Sequence, residues 1–306
     1  MSGVQKDILL KNHTTFRIGG RAKYFFAARN REDLILAVRA AKRLKLPFFI
    51  LGAGSNLLVS DRGYNGLVIK TQNLKFKTQI HNSKLKIFCE AGTPLAKLVK
   101  LSIEKGYSGL EWAAGIPGTV GGAICGNAGA FGKSMESIVK EIEAFDVKSG
   151  KVKVLKNKDC KFAYRDSIFR RNKNLIIISA TVHLKRGNKG KIKNKTKEYL
   201  NYRKRNQPLN FPSAGSVFIN APGFSAGQLG EKDKSSSSAF AAARLIEKCG
   251  LKGRRIGRVK ISEKHANFIV NLGQGKAKDV KKLINLIKQM VKRKFGIVLK
   301  EEIRFL

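Results

Sequence analysis

The sequence predicts an α+β fold, on three observations. Segments patterned as strands, helices and hairpins follow one another without the regular βαβα alternation of a doubly wound parallel sheet. The chain shows no internal repeat. Its 306 residues suit two domains, each with its own core. Near the middle lies a glycine- and alanine-rich stretch, Gly109 to Gly132, that carries almost no charge in a chain of formal net charge +41.

Taken in order, Thr14 to Gly20 reads as a strand ending in a tight turn at Gly19-Gly20. Asn30 is placed to cap a helix, with Glu32 and Asp33 in its first turn. Leu34, Ile35, Val38, Ala41 and Leu44 recur at helical spacing, Pro47 ends the pattern, and Phe48 to Leu51 reads as a buried strand. The loop Gly52-Ala53-Gly54-Ser55-Asn56 partly matches a dinucleotide fingerprint. However, Leu57-Leu58-Val59 and a second strand, Gly66 to Lys70, stand where a Rossmann unit would place a helix. The loop could donate N–H groups to a pyrophosphate, or simply join two strands.

Lys84 to Glu90 is strand-like. Thr93 and Pro94 start a helix with a buried stripe of Leu95, Leu98 and Val99, and Gly106 closes it. Ile138 to Leu155 reads as a hairpin about Ser149-Gly150, Phe162 to Phe169 as a loop with Tyr164 beside Arg165, and Leu175 to Leu184 as a strand. The basic segment 186–197 reads as a linker between domains, and Gly223 to Phe240, with four consecutive serines, as a surface loop. Ala241 to Lys248 is a short helix closed by Gly250, and Ser262 to Asn271 a loop running into a strand. Val280, Leu283, Ile284, Ile287 and Val291 mark a long amphipathic helix, and Ile297 to Leu306 a final strand.

Lys plus Arg number 62 against 21 Asp plus Glu, but the basic residues are mostly lysine and are spread along the whole chain. That pattern favours a lysine-rich surface without a nucleic-acid partner; a basic nucleic-acid-binding protein would instead show steeply salt-dependent binding. No apolar run approaches a bilayer span and the N-terminus lacks a signal-peptide core, so membrane insertion is not expected and the cytoplasm is. The four cysteines are far apart and the four histidines have no metal-binding spacing, which predicts buried, reduced thiols and no metal.

Crowded glycines let a backbone approach a ligand closely, and their N–H groups make nests for anions. A packed, alanine-rich turn has a similar composition. Within the stretch, Ile116-Pro117-Gly118-Thr119 points to a specific turn, with Pro117 fixing φ. This reads as a cradle for a large phosphate-bearing ligand.

Seven motifs run in order along the chain: Thr15-Phe16-Arg17-Ile18-Gly19-Gly20, Gly52-Ala53-Gly54-Ser55-Asn56-Leu57-Leu58, Gly115-Ile116-Pro117-Gly118-Thr119-Val120-Gly121-Gly122, Tyr164-Arg165-Asp166-Ser167, Ala214-Gly215-Ser216-Val217-Phe218, His265-Ala266-Asn267-Phe268 and Glu302-Ile303-Arg304. In series they resemble the UDP-N-acetylenolpyruvoylglucosamine reductases, flavoenzymes of peptidoglycan synthesis, in the compact form that lacks an extra tyrosine-bearing loop. The resemblance implies an FAD-binding region of two α+β subdomains (about 1–72 and 73–190, like the vanillyl-alcohol-oxidase type), then an α+β substrate domain over 198–306. It implies non-covalent FAD, NADPH as co-substrate, a UDP-sugar substrate and a monomer. NADPH would reduce the flavin, flavin N5 would pass hydride to C3 of the enolpyruvyl group, and a proton would reach C2.

The same resemblance assigns residues. FAD would sit against Gly52, Ala53, Gly54, Ser55, Asn56 and Leu57, and against Gly115, Ile116, Pro117, Gly118, Thr119 and Gly122. Ser216 would be the proton donor, Arg165 would hold a carboxylate and the charge that builds on it, and Glu302 would polarise the intermediate or orient Ser216. Glu301 would face the other side of its strand. Tyr164, Lys204, Asn220 and His265 would bind substrate. The chain departs from the family pattern at Ile219, where lysine is usual, at the apparent insertion Gly223–Phe240, and at Arg258-Val259-Lys260. An oxidase or dehydrogenase on a similar flavin domain is the alternative enzyme, but it leaves Ser216 and Glu302 unexplained.

Overall fold

The structure is a computed structural model that describes residues 2–72, 76–81, 84–221 and 241–306. The expected loop Gly223–Phe240 lies outside the described residues. The chain forms two compact units: Met1–Ile8, Ala22–Ala53 and Tyr64–Arg203 make the first, and Leu9–Arg21, Gly54–Gly63 and Lys204–Leu306 the second. The division is thus not a single cut in the sequence.

Among the described residues the first unit holds two larger sheets and a small hairpin, Gly129–Ala130 paired with Lys133–Ser134. One has the order Gln5–Leu9, Arg21–Ala28, Tyr64–Thr71, Phe48–Leu51, with the last three strands mutually parallel. The helix Arg31–Arg43 makes the crossover that parallel strands require. Asn30 Oδ1 accepts from the Asp33 N–H at 2.8 Å, and Leu34, Ala37, Val38 and Ala41 pack with Phe26, Leu67 and Ile69. Leu44, expected in the buried stripe, lies just past the helix and is exposed.

The second sheet of this unit is antiparallel, in the order Lys151–Lys156, Val139–Asp146, Leu175–Arg186, Lys84–Glu90, Phe76–His81. Its central strand is buried from Ile176 to Val182, while the edge strand Lys151–Lys156 is mostly exposed and carries lysines that discourage pairing with another chain. Helix Leu95–Lys105 ends at Gly106, whose φ of 71° is left-handed. Its Leu95 and Leu98 join Leu85, Ile87, Trp112 and Ile142 in the core.

The expected linker at 186–197 is not a linker. The strand runs to Arg186, and a helix occupies Lys189–Asn206. Ile192, Thr196 and Arg203 are its buried residues, a helical stripe built largely from polar side chains.

The second unit centres on an antiparallel sheet in the order Ser213–Ser216, Phe268–Asn271, Val259–Ile261, Arg255–Ile256. Helices Ala242–Lys248 and Ala277–Phe295 supply Leu245, Ile246, Val280, Leu283, Ile284, Ile287 and Val291 to its core. Two expected strands are corrected here. Thr14 to Gly20 follows a 3-10 turn, Leu10–His13, as irregular backbone, and buries Phe16 and Ile18 in this core. The tertiary bonds of Asn271 hold it: Nδ2 donates to the Phe16 and Arg17 carbonyls at 3.0 and 3.2 Å. At the C-terminus only Arg304–Phe305 forms a ladder, parallel to Leu57–Leu58.

The cysteines carry free thiols, Cys89 and Cys160 buried but Cys125 and Cys249 only half-buried. Burial pushes the Cys89 thiol up to about 12 and the Cys160 thiol, helped by Asp159, to about 11, so both are inert hydrophobic fillers at neutral pH.

Helix Ala277–Phe295 has no local side-chain cap. Asp61 supplies one from far away in sequence, its two carboxylate oxygens accepting from the Ala277 and Lys278 N–H groups at 2.7 and 3.0 Å. Asp61→Ala is expected to cost about 0.5–2 kcal/mol of stability, and Asp61→Asn distinctly less. Denaturant unfolding of the full chain checks this, and equal losses for the two variants would show that capping is not the source.

Candidate functional site

In the first unit the glycine-rich stretch is built on backbone contact. Leu95 N donates to Gly118 O at 3.0 Å, Val120 N to Thr93 O at 2.8 Å, and Gly121 N to Ala91 O at 2.8 Å. A Cβ on Gly121 would lie 2.8 Å from the Ala91 Cβ, and one on Gly52 would lie 2.6 Å from Thr119 Oγ1. Gly52 and Thr119, far apart in sequence, are therefore neighbours. Gly115 at φ 75° and Gly118 at φ 143° occupy backbone that other residues rarely adopt. Thr119 caps the short helix Val120–Cys125 through the Gly122 N–H. Of the expected cofactor residues, Gly52, Ala53, Gly115, Ile116, Pro117, Gly118, Thr119 and Gly122 thus belong to the first unit.

Ala91 was not singled out from sequence and Thr93 only as part of a helix start, yet they form the wall against which Gly118 to Gly121 lies. Thr93 Oγ1 is buried with no hydrogen-bond partner among the described residues. The only signal was a short Ala-Gly-Thr-Pro connection between a strand and a helix.

Tyr164 and Arg165 form the tip of a tight turn in the same unit. Ala163 and Asp166 exchange backbone hydrogen bonds at 3.0 and 3.1 Å. Arg165 has φ 56°, a strained setting for a side-chain-bearing residue, of the kind that concentrates at functional positions. Buried Asn127 holds the turn: its Nδ2 donates to Ala163 O at 2.9 Å, and its Oδ1 accepts from Glu136 N at 3.1 Å. Ser167 Oγ donates to Cys125 O at 2.8 Å, and Arg171 pairs with Asp166. The Arg165 guanidinium lies 5.1 Å from the centre of the half-exposed Tyr164 ring.

The second unit brings Asn56, Ser216 and Glu302 together. Asn56 Nδ2 donates to Glu302 O at 3.2 Å, and Asn56 O accepts from Arg304 N at 3.0 Å. Glu302 N donates to Val217 O at 2.8 Å, beside half-buried Ser216. Gly215 at φ 77° sits in a register irregularity between Ser213, opposite Val270, and Ser216, opposite Phe268. Asn267 then pins Phe218, two residues on: Oδ1 accepts from Phe218 N at 2.9 Å and Nδ2 donates to Phe218 O at 2.8 Å. Gly54 at φ 65° is pressed so close to His13 that a Cβ would lie 2.4 Å from its carbonyl. Glu301, the other acidic residue, is engaged by Lys288 at 3.0 Å.

The remaining expected residues are also in this unit. Lys204 lines a cavity of about 640 Å³ with Gln207, Asn210, Lys260, Ser262, Glu263 and Lys264. Lys260 is paired with Glu263 at 3.1 Å. Asn220 Oδ1 accepts from Ala242 N at 3.1 Å, so its acceptor works as a helix cap. His265 packs edge-on to Phe268 at 4.8 Å, and burial lowers its pKa, keeping the ring neutral at pH 7. Of the departures, Arg258 ties down a loop through the Gly273 and Leu272 carbonyls, and Ile219 N bonds to Lys300 O.

Comparison with known proteins shows the family. A family model described as UDP-N-acetylenolpyruvoylglucosamine reductase, C-terminal domain, matches residues 207–306, and one described as FAD binding domain matches residues 22–156. The reductase of that name from Caldanaerobacter subterraneus is 41% identical over 96% of this chain and 91% of its own length. Its counterpart from Caldicellulosiruptor bescii is 40% identical over 100% and 92%. The crystal structure of the Thermus caldophilus reductase superposes with a TM-score of 0.77 at 34% identity, covering 99% of this chain and 98% of that one.

The backbone at Gly115 to Gly122 fits a flavin dinucleotide, since close approach and positive φ are what such a ligand asks of a loop. Gly118→Val is expected to abolish most flavin retention while leaving a soluble, folded chain. Visible flavin absorbance per mole of protein, read beside a circular dichroism spectrum, checks this. A variant that stays fully yellow would remove Gly118 from the cradle.

Proposed function

The chain belongs to the UDP-N-acetylenolpyruvoylglucosamine reductase family, and from that premise we propose that it reduces the enolpyruvyl group of UDP-N-acetylglucosamine enolpyruvate to UDP-N-acetylmuramate with NADPH. The chain is an FAD-dependent oxidoreductase of peptidoglycan precursor synthesis. Among the described residues no helix is long and apolar enough to cross a membrane.

FAD, held by the glycine-rich loops, would supply the hydride chemistry between NADPH and C3 of the enolpyruvyl group. The residues of the chain do the rest. The Gly52–Leu57 and Gly115–Gly122 loops hold the cofactor by backbone. Arg165 binds the substrate carboxylate through two N–H groups and stabilises the negative charge that spreads onto it when C3 gains hydride. The Ser216 hydroxyl gives its proton to C2 and regains one from solvent. Glu302 orients that hydroxyl. Lys204 and its cavity take the diphosphate, His265 and Asn220 line the nucleotide end, and Tyr164 covers Arg165. The protein works as a monomer.

The observation that supports this reading best is the bond from Glu302 N to Val217 O, which sets the Glu302 backbone next to Ser216 in a second unit matched by the reductase family model. A serine is a weak acid in water, so it needs an environment of this kind to deliver a proton.

Ser216→Ala tests the assignment. NADPH should still bleach the flavin at near-normal speed, because that step needs no proton at C2. Reoxidation by the enolpyruvyl substrate should slow by about 10²–10⁴-fold, the usual worth of general acid catalysis, and Ser216→Cys should recover part of it. Stopped-flow measurement of each half-reaction decides. Equal slowing of both would reduce Ser216 to shaping the pocket, and an unchanged second half-reaction would move the proton donor elsewhere, first to Glu302.

A further inference from the structure

One charged group in the first unit is held in a way that packing alone does not explain. Arg203 is only 9% exposed. Its Nη2 donates to Trp112 O at 3.3 Å, but its Nε has no partner and no carboxylate pairs with it among the described residues. Buried guanidinium groups are ordinarily paired with acids, since taking the charge out of water is costly. Burial, and after it the neighbouring Arg165 guanidinium, lower the Arg203 pKa, which records an unfavourable setting for positive charge.

The surroundings nevertheless fix this side chain. Its guanidinium carbon lies 5.6 Å from the centre of the Phe131 ring. Phe131 stacks on Tyr199 at 3.8 Å and 11°, and Lys195 covers Tyr199 at 4.9 Å. Phe131 itself sits at φ 52°, a strained backbone for an aromatic residue at a hairpin tip. The Arg203 Cδ lies against Gly115, where a Cβ would come within 3.0 Å. A stack, a strained backbone and a glycine all serve to hold one arginine with a donor to spare. That is preorganisation for a ligand.

We propose that Arg203 is an oxyanion-binding residue, which together with Arg165 takes a carboxylate or phosphate group of the ligand held at the Gly115–Gly118 turn. The proposal rests on the flavoenzyme reading above. Two sources carry that chemistry: the FAD diphosphate and the carboxylate of the enolpyruvyl group.

Arg203→Gln and Arg203→Lys in the full chain test it by binding, without turnover. Each variant is titrated with FAD, with riboflavin, which lacks the diphosphate, with UDP-N-acetylglucosamine enolpyruvate and with UDP-N-acetylglucosamine, which lacks the carboxylate. Arg203→Gln should weaken one oxyanion-bearing ligand by about 10- to 100-fold, the worth of a charged hydrogen bond, with Arg203→Lys between it and the parent. Loss confined to FAD, with riboflavin unchanged, names the diphosphate. Loss confined to the enolpyruvyl sugar, with the simpler sugar unchanged, names the carboxylate. Equal loss for FAD and riboflavin would mean Arg203 only props the Gly115 turn, and no loss for any ligand would mean it binds nothing; either overturns the proposal. If Arg203→Gln fails to fold, Arg203→Lys and Phe131→Leu carry the same titrations. A chain that binds FAD through Arg203 but never reduces the enolpyruvyl sugar would sink the proposed reaction and leave this site standing.

Discussion

The first unit depends on two stretches of backbone running in contact, residues 91–95 against 118–121. Three hydrogen bonds join them, at 2.8 to 3.0 Å. Such an approach forbids a side chain on one partner, and Gly121 against Ala91 shows it: even a methyl group would collide. The consequence travels outward. With 118–121 fixed, Thr119 reaches Gly52, the Val120–Cys125 helix starts where it does, and Asn127 after it can clamp the Tyr164-Arg165 turn. The strained φ of Arg165 survives because that clamp, the Asp166–Arg171 pair and the Ser167 bond over-determine the turn.

The second unit solves the same problem with buried asparagines. Asn267 satisfies both backbone groups of Phe218, and Asn271 satisfies two carbonyls near Phe16 while its Oδ1 accepts from Gly273 and Gly275. A buried amide left unpaired is costly, so each of these must find its partners or the fold is penalised. This makes irregular backbone dependable. The segment near Phe16 lies outside any ladder, and the strand carrying Ser216 is broken by an irregularity before that residue, yet both are positioned.

How far the sequence revealed this depended on where each signal was stored. Local chemistry was legible. The Asn30 cap, the Gly106 stop, the Ser149-Gly150 hairpin and the apolar stripe of Ala277–Phe295 all stand as read. The helix Lys189–Asn206 was missed because its buried face is Ile192, Thr196 and Arg203, of which only one is apolar, so no hydrophobic periodicity shows. Thr14 to Gly20 has strand-like composition, but Asn271, at the far end of the chain, decides its conformation. The glycine-rich loops were visible from composition, whereas their partners Ala91, Thr93 and Asn127 are ordinary residues made important only by contact.

Arg203 belongs to that second class, and it changes how the chain's charge should be understood. Sixty-two basic residues could suggest that any anion would be attracted anywhere. Exposed lysines, however, act through a field that salt screens over about 10 Å at 0.1 M. A desolvated guanidinium is different: little water or salt shields it, its direction is set by Phe131 and Trp112, and it recognises geometry as well as charge. The surface field of this protein draws anions in without choosing among them. The choice falls to the few cations that the fold has taken out of water and held still.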